Sequence, residues 1–182
     1  MFRMILDLIK KPFFILSMSA LLSLTALLAA LFSEAFLGLE PCILCIYQRI
    51  PFAIVIAFWL ISFFKRSSLK VMSALSSIAL LINSGIATYH TGVEQKWWAS
   101  AFEGCTVPAN FFSNEPQSIL ENILSTPSAR CDEIPWQDPL LGLSMANYNI
   151  ALCFGLFAAL FLSLYLSKTT KDDQKQTVVD AA

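Results

Sequence analysis

Four runs of about twenty apolar residues decide what this chain can fold into, because a helix needs about twenty residues to cross the hydrocarbon core of a bilayer. They cover Phe13–Phe32, Ile43–Phe64, Val71–Tyr89 and Ala146–Leu166. The first has no charge, and the polar residues of the second, Gln48 and Arg49, lie near its start. The third holds Asn83 and closes on Tyr89; the fourth opens on Asn147, Tyr148 and Asn149 and then turns strongly apolar. Lipid offers no water to backbone N–H and C=O groups, so each run has to be helical. Charged residues make up 14% of the chain, against about 25% in a soluble domain. The expected fold class is therefore an all-α membrane protein: a four-transmembrane-helix bundle with one long exported loop, forming a single domain over residues 1–167. There is no internal repeat, no soluble domain and no nucleic-acid signature.

The N-terminus is basic and then apolar, as a secretion signal is. The apolar run exceeds the roughly 7–15 residues of a signal's hydrophobic core, and no small-x-small cleavage site follows it. It is expected to remain as the first span. Orientation follows from Lys and Arg in the short flanks. Arg3, Lys10 and Lys11 precede the first span, Lys65, Arg66 and Lys70 separate the second from the third, and Lys168, Lys171 and Lys175 follow the fourth. The loop at about residues 90–145 carries Glu94, Glu103, Glu115, Glu121, Asp132, Glu133 and Asp138 against only Lys96 and Arg130. Both termini are expected in the cytoplasm and the acidic loop outside. Residues 168–182 are polar and are expected to be frayed or disordered.

The long loop is rich in aromatic residues, among them Trp97, Trp98, Phe102, Phe111, Phe112 and Trp136, which are expected to hold it near the headgroups. Between Pro116 and Pro127, Ile119, Leu120, Ile123 and Leu124 share one helical face. That spacing predicts a short helix lying in the interface plane.

Five cysteines punctuate this frame. Cys42, Cys45, Cys105 and Cys131 map to the outer side, an oxidising compartment, and Cys153 falls within the fourth span as a small packing residue. Pairing 42 with 45 and 105 with 131 is the obvious arrangement, although sequence alone permits three. A 105–131 bridge would stabilise the loop by roughly 3–4 kcal/mol through chain entropy, so a purely structural role suffices for it. A 42–45 bridge spans too few residues for that. In a C-x-x-C pair the second thiol resolves mixed disulfides formed on the first, which is redox chemistry. A four-cysteine zinc site is disfavoured, since the second pair lacks C-x-x-C spacing, and no metal is expected.

Pro41 suits a helix start, which puts Cys45 in a first turn whose free N–H groups favour an anion. Arg49 lies at i+4 from Cys45 and can share its face. Both effects are expected to lower the pKa of Cys45. Arg49 either snorkels to the headgroups or faces the bundle and donates to a polar atom of a ligand. Its spacing from Cys45 favours the second. His90, the sole histidine, closes the third span at about the same depth, and an imidazole suits hydrogen bonding to, or proton exchange with, a quinone carbonyl.

These residues resemble the DsbB family of inner-membrane disulfide bond formation proteins. The carriers are Pro41-Cys-Ile-Leu-Cys-Ile-Tyr-Gln-Arg49, Tyr89-His90, the lone Cys105, Cys131-Asp-Glu-Ile-Pro-Trp136 and Leu141-Gly-Leu-Ser-Met145. The similarity runs from the first span to the end of the fourth. It implies a quinone-dependent protein-disulfide oxidoreductase of the bacterial inner membrane. A reduced periplasmic thioredoxin-like oxidase of the DsbA type would attack Cys105 of a 105–131 disulfide, and Cys131 would pass the electrons to the 42–45 pair. Cys45 would reduce a quinone, ubiquinone first and menaquinone as the alternative, held near Arg49 with His90 close by. Many family members carry an acidic residue where this chain has Gln48. A quinone-coupled oxidoreductase of the vitamin K epoxide reductase type also pairs loop cysteines with C-x-x-C, but in the opposite chain order. A relative serving one dedicated partner also fits. A non-enzymatic membrane protein with a disulfide-stapled loop would leave the 42–45 pair inert and Arg49 replaceable by Leu.

Overall fold

The computed structural model describes residues 11–102, 105 and 129–180, with side chains as far as residue 169. Four helices are long and apolar enough to span a membrane: α1 (Pro12–Leu37), α2 (Ile43–Phe64), α3 (Leu69–Glu94) and α4 (Met145–Asp180). A single 3₁₀ turn at Arg66–Ser68 joins α2 to α3. Among the described residues there is no strand, only an isolated bridge between Gln137 and Ser144. The chain is a multi-pass membrane protein built as a four-helix bundle.

Each boundary has a local cause. Pro12 opens α1, where its missing N–H costs nothing. Gly38, at φ +63°, ends it in the left-handed conformation that closes many helices. Cys42 caps α2, its Sγ accepting the Cys45 N–H at 3.4 Å. Ser144 precedes α4 and accepts the Asn147 N–H at 3.4 Å, as an N-cap hydroxyl does.

Helix α3 is the hub, packing against both α4 and α2, while α1 lies mainly on α2. The central core joins Leu16, Phe52, Val55, Leu80, Cys153, Leu156 and Leu160. Around it the helices approach through small residues: Ser19, Ser23, Ser73, Ser76, Ser77 and Ala87 are all buried. Lipid is as apolar as leucine, so close packing of small residues, not burial of large ones, holds such helices together. Leu28, Phe36, Phe64, Ile78 and Phe161 accordingly point outward, each more than half exposed.

The helices run past the ends of the apolar runs. Helix α1 runs to Leu37 and α3 to Glu94, five residues past the ends of the apolar runs at Phe32 and Tyr89: no glycine follows Phe32 before Gly38, and α3 continues through Gly92. His90 thus lies inside α3, one turn before its end. Backbone helix also continues to Asp180, where a frayed tail is expected; residues 168–180 contain neither Gly nor Pro, and propagating a helix costs far less than starting one. The interfacial helix expected between Pro116 and Pro127 lies outside the described residues, as do Phe111 and Phe112.

Candidate active site

The N-terminus of α2, the C-terminal turns of α3 and the start of α4 meet at one end of the bundle, and the chemistry-bearing residues gather there. Cys42 and Cys45 are free thiols with their sulfurs 3.1 Å apart. Cys105 and Cys131 form a disulfide, Cα–Cα 4.6 Å, and the Cys131 N–H donates to the Cys105 carbonyl at 3.1 Å. Cys42, Leu44, Val93, Cys105 and Cys131 constitute a single buried cluster, with Cys45 and Tyr89 packed against it. The fold thus brings a residue of the C-x-x-C and the loop disulfide into one apolar nest. The described cysteines stand with the loop pair oxidised and the C-x-x-C pair reduced.

The polar contacts of the site gather around Cys42. Its sulfur has the Cys45 thiol at 3.1 Å, the Cys45 N–H at 3.4 Å and His90 Nε2 at 3.5 Å. The Cys45 thiol hydrogen bond, aided by His90, outweighs the opposing effect of burial and holds the Cys42 thiol well below its ordinary range. The sequence points to Cys45 as the stabilised thiolate. The structure moves that role to Cys42 because its extended N-cap conformation folds its own sulfur over the first turn.

His90 is 3% exposed. Gln48 Nε2 lies 2.9 Å from its Nδ1. An amide N–H donating there leaves the imidazole proton on Nε2, aimed at the Cys42 sulfur. Behind Gln48 the chain of polar groups continues across the bundle. Asn149 Nδ2 donates to Gln48 Oε1 at 2.6 Å, the Cys153 thiol donates to Asn149 Oδ1 at 3.1 Å, and Asn83 Nδ2 donates to Cys153 Sγ at 3.2 Å. Cys153 is therefore more than packing; it links α3 to α4. Glu94 is buried one turn past His90, with Oε1 3.7 Å from His90 Nε2, and it accepts the Ser144 hydroxyl at 2.5 Å.

Arg49 does not stand beside Cys45 as an unpaired cation. It donates to Glu34 near the end of α1, both side chains about a quarter exposed. The pair forms part of the wall of a cavity of about 820 Å³. Cys42, Cys45 and His90 line its polar side, and Ala26, Leu27, Phe52 and Leu152 an apolar side between α1, α2 and α4. In the segment before α4 Arg130 forks onto Asp132 at 2.9 and 2.7 Å, and that hydrogen-bonded guanidinium holds the Asp132 carboxyl below its ordinary range. Trp97 and Trp98 are exposed, in keeping with an interfacial place, and Trp98 stacks on Tyr89 with centroids 6.0 Å apart.

Sequence reasoning overlooks Glu34, Glu94, Asn83 and Asn149 as site residues. The available signals were polar side chains inside apolar spans, which mark function by default, and the His90/Glu94 spacing of four, which places both on one helix face.

The family model for Disulfide bond formation protein DsbB matches residues 12–163 of this chain. The chain belongs to the DsbB family. It is 34% identical over 133 residues to Disulfide bond formation protein B of Xanthomonas axonopodis pv. citri, covering 70% of this chain and 75% of that protein. The protein of the same name from Xylella fastidiosa strain Temecula1 is 35% identical over 133 residues, 69% and 75% of the two chains. That of Pasteurella multocida is 29% identical over 169 residues, 92% and 91% of the two. As a DsbB-family member the chain is a membrane oxidoreductase of disulfide bond formation.

Proposed function

We propose that this DsbB-family chain reoxidises a periplasmic thioredoxin-like dithiol oxidase of the DsbA type and delivers the electrons to a membrane quinone. The observation that carries the reading is the shared nest of Cys42, Cys105 and Cys131 beside an amphipathic cavity. A non-enzymatic, stapled loop has no need for a second, unbonded thiol pair at that place.

The partner's thiolate attacks Cys105, opening the 105–131 disulfide; the partner leaves oxidised and Cys131 carries the electron pair as a thiolate. With the 42–45 pair oxidised, Cys131 attacks Cys42, its neighbour in the nest, and Cys45 leaves as the thiolate. Cys105 then closes on Cys131 and restores the loop disulfide. The outcome is a dithiol at 42–45 and a disulfide at 105–131, the state in which the described cysteines stand. Leaving groups of low pKa depart faster. The hydrogen bonds around Cys42 thus favour the closing step, in which Cys105 attacks Cys131 of the mixed disulfide and Cys42 leaves as the thiolate.

The cavity residues fit a quinone: a flat apolar ring meets Ala26, Leu27, Phe52 and Leu152, and the Arg49 guanidinium supplies a donor for a carbonyl oxygen. A bound quinone supplies a two-electron, two-proton acceptor. Arg49 would hold it, and His90, whose ring nitrogens already face Gln48 and Cys42, acts on the thiol pair from the cavity wall. The charge asymmetry of the sequence supports placing this end of the bundle on the periplasmic side of a bacterial inner membrane, with both termini cytoplasmic.

The test is turnover. Purified chain, reduced thioredoxin-like oxidase and a soluble ubiquinone analogue, or a menaquinone analogue in parallel, are mixed and quinol formation is followed by absorbance. The expected result is catalytic quinol production at one quinol per partner disulfide. A folded preparation that oxidises the partner with neither quinone contradicts the reading.

A further inference from the structure

Two thiols and an imidazole share one small volume at the cavity wall. The ligand atoms of Cys42, Cys45 and His90 all lie within 4.8 Å of one another. Tetrahedral zinc with bonds of about 2.3 Å to sulfur and about 2.05 Å to nitrogen separates two sulfurs by about 3.8 Å and sulfur from nitrogen by about 3.6 Å. Here Cys42 Sγ is 3.5 Å from His90 Nε2 and 3.1 Å from Cys45 Sγ. The nitrogen already stands at ligand spacing from the Cys42 sulfur; the two sulfurs need to part by a fraction of an ångström, and Cys45 Sγ, within 4.8 Å of the ring nitrogen, needs to settle at about 3.6 Å from it. We propose that the dithiol form of this site, built from Cys42, Cys45 and His90, binds a thiophilic d10 dication, Zn²⁺ above all, and that the bound ion holds the pair reduced.

The chemistry balances without an oxidant. Two Zn–S bonds and one Zn–N bond form, the two thiols give up their protons, and two thiolates neutralise the dication. The fourth position faces the cavity and takes water. Ligation through Nε2 puts the imidazole proton on Nδ1, where metal-bound histidines donate to a neighbouring acceptor. Gln48 meets that need when its amide turns to present Oε1 to Nδ1 and the Asn149 amide turns with it, so that Asn149 Oδ1 accepts from Gln48 Nε2 and Asn149 Nδ2 donates to Cys153 Sγ. The site exists only in the reduced state, since a 42–45 disulfide has no thiolate to offer. The sequence, weighed for four thiolates, predicts no metal; the loop pair is indeed bonded to itself, and the third ligand comes instead from α3. Metal binding stands apart from the quinone reading, whereas its consequence, block of electron delivery, rests on it.

The test uses the full-length chain in detergent with Cys105→Ala and Cys131→Ala, so that the C-x-x-C supplies the site's thiols. The protein is reduced, freed of quinone and titrated with Cd²⁺, reading the thiolate-to-metal ultraviolet band. Saturation at one equivalent is expected, with no band after oxidation of the 42–45 pair or in Cys42→Ser. His90→Ala should weaken binding by at least about tenfold, the lower end of what losing even an outer-shell partner costs. X-ray absorption of the zinc-loaded chain with His90 intact should show two sulfurs at about 2.3 Å and an imidazole nitrogen at about 2.0–2.1 Å. Absence of the band, an affinity indifferent to His90→Ala, or a shell of two sulfurs without imidazole overturns the proposal. If His90→Ala does not fold, the absorption spectrum decides. A chain that binds Cd²⁺ but reduces no quinone refutes the functional reading alone; one that turns over and ignores both metals refutes the metal site alone.

Discussion

Cys45→Ser is expected to lower steady-state quinol formation by at least about a thousandfold, well within the range that removal of a catalytic nucleophile produces. A serine hydroxyl cannot form or leave a disulfide, so no electrons reach the quinone. The fold should survive. The side chain of Cys45 is only partly buried and lies outside the central core, and it is its backbone N–H that reaches Cys42. The loop disulfide is untouched, so Cys45→Ser should still oxidise one equivalent of the partner and then stop. Cys105→Ser should lack even that first equivalent. Rapid-mixing measurement of partner oxidation separates the two: a burst without turnover in one, no burst in the other. Sustained turnover in Cys45→Ser refutes the role given to this thiol.

Arg49→Leu is expected to raise the quinone KM by about 10- to 100-fold with little change in kcat. A hydrogen bond to a charged group is worth about 1.5–3 kcal/mol, and each 1.4 kcal/mol is tenfold in affinity. Loss of binding common to ground and transition states appears in KM alone. The structure adds a complication, because Arg49 is paired with Glu34. Leu at 49 leaves that carboxylate alone on the cavity wall, so part of any loss could come from Glu34. Arg49→Leu combined with Glu34→Gln removes this ambiguity: the KM should stay high. Return of the KM to its original value in the double variant would show that Arg49 serves only to neutralise Glu34.

The fold was legible because its cause is one-dimensional. A run of twenty apolar residues has one stable form in lipid, and Ile43–Phe64 is a helix for that reason alone. Ends were harder to read. Tyr89 closes the apolar run of α3, but hydrogen-bonded helix persists to Glu94, because polar residues such as His90 and Glu94 are tolerated where they face the bundle. The C-x-x-C pair was legible from its spacing, and of the three pairings the sequence permits for four outer cysteines the structure has the 105–131 bond. What spacing could not show is which sulfur the donors favour. Arg49 at i+4 pointed to Cys45, yet a cation follows the nearest acid in space, and Glu34 lies fifteen residues away in sequence across a turn. The line from Asn83 through Cys153, Asn149 and Gln48 to His90 was illegible for the same reason. Each link joins different helices or turns of one helix, and only packing sets them in register.

The central claim is that the two cysteine pairs are links in one relay, and the most direct measurement is to trap the bond between them. In a Cys45→Ser, Cys105→Ser double variant, Cys42 and Cys131 have lost their own partners but keep their places in one buried cluster. Non-reducing peptide mapping by mass spectrometry is predicted to find a Cys42–Cys131 disulfide in most of the purified protein. Recovery of both as free thiols, or capped only by small molecules under oxidising conditions, would contradict the relay and leave the loop disulfide as a staple.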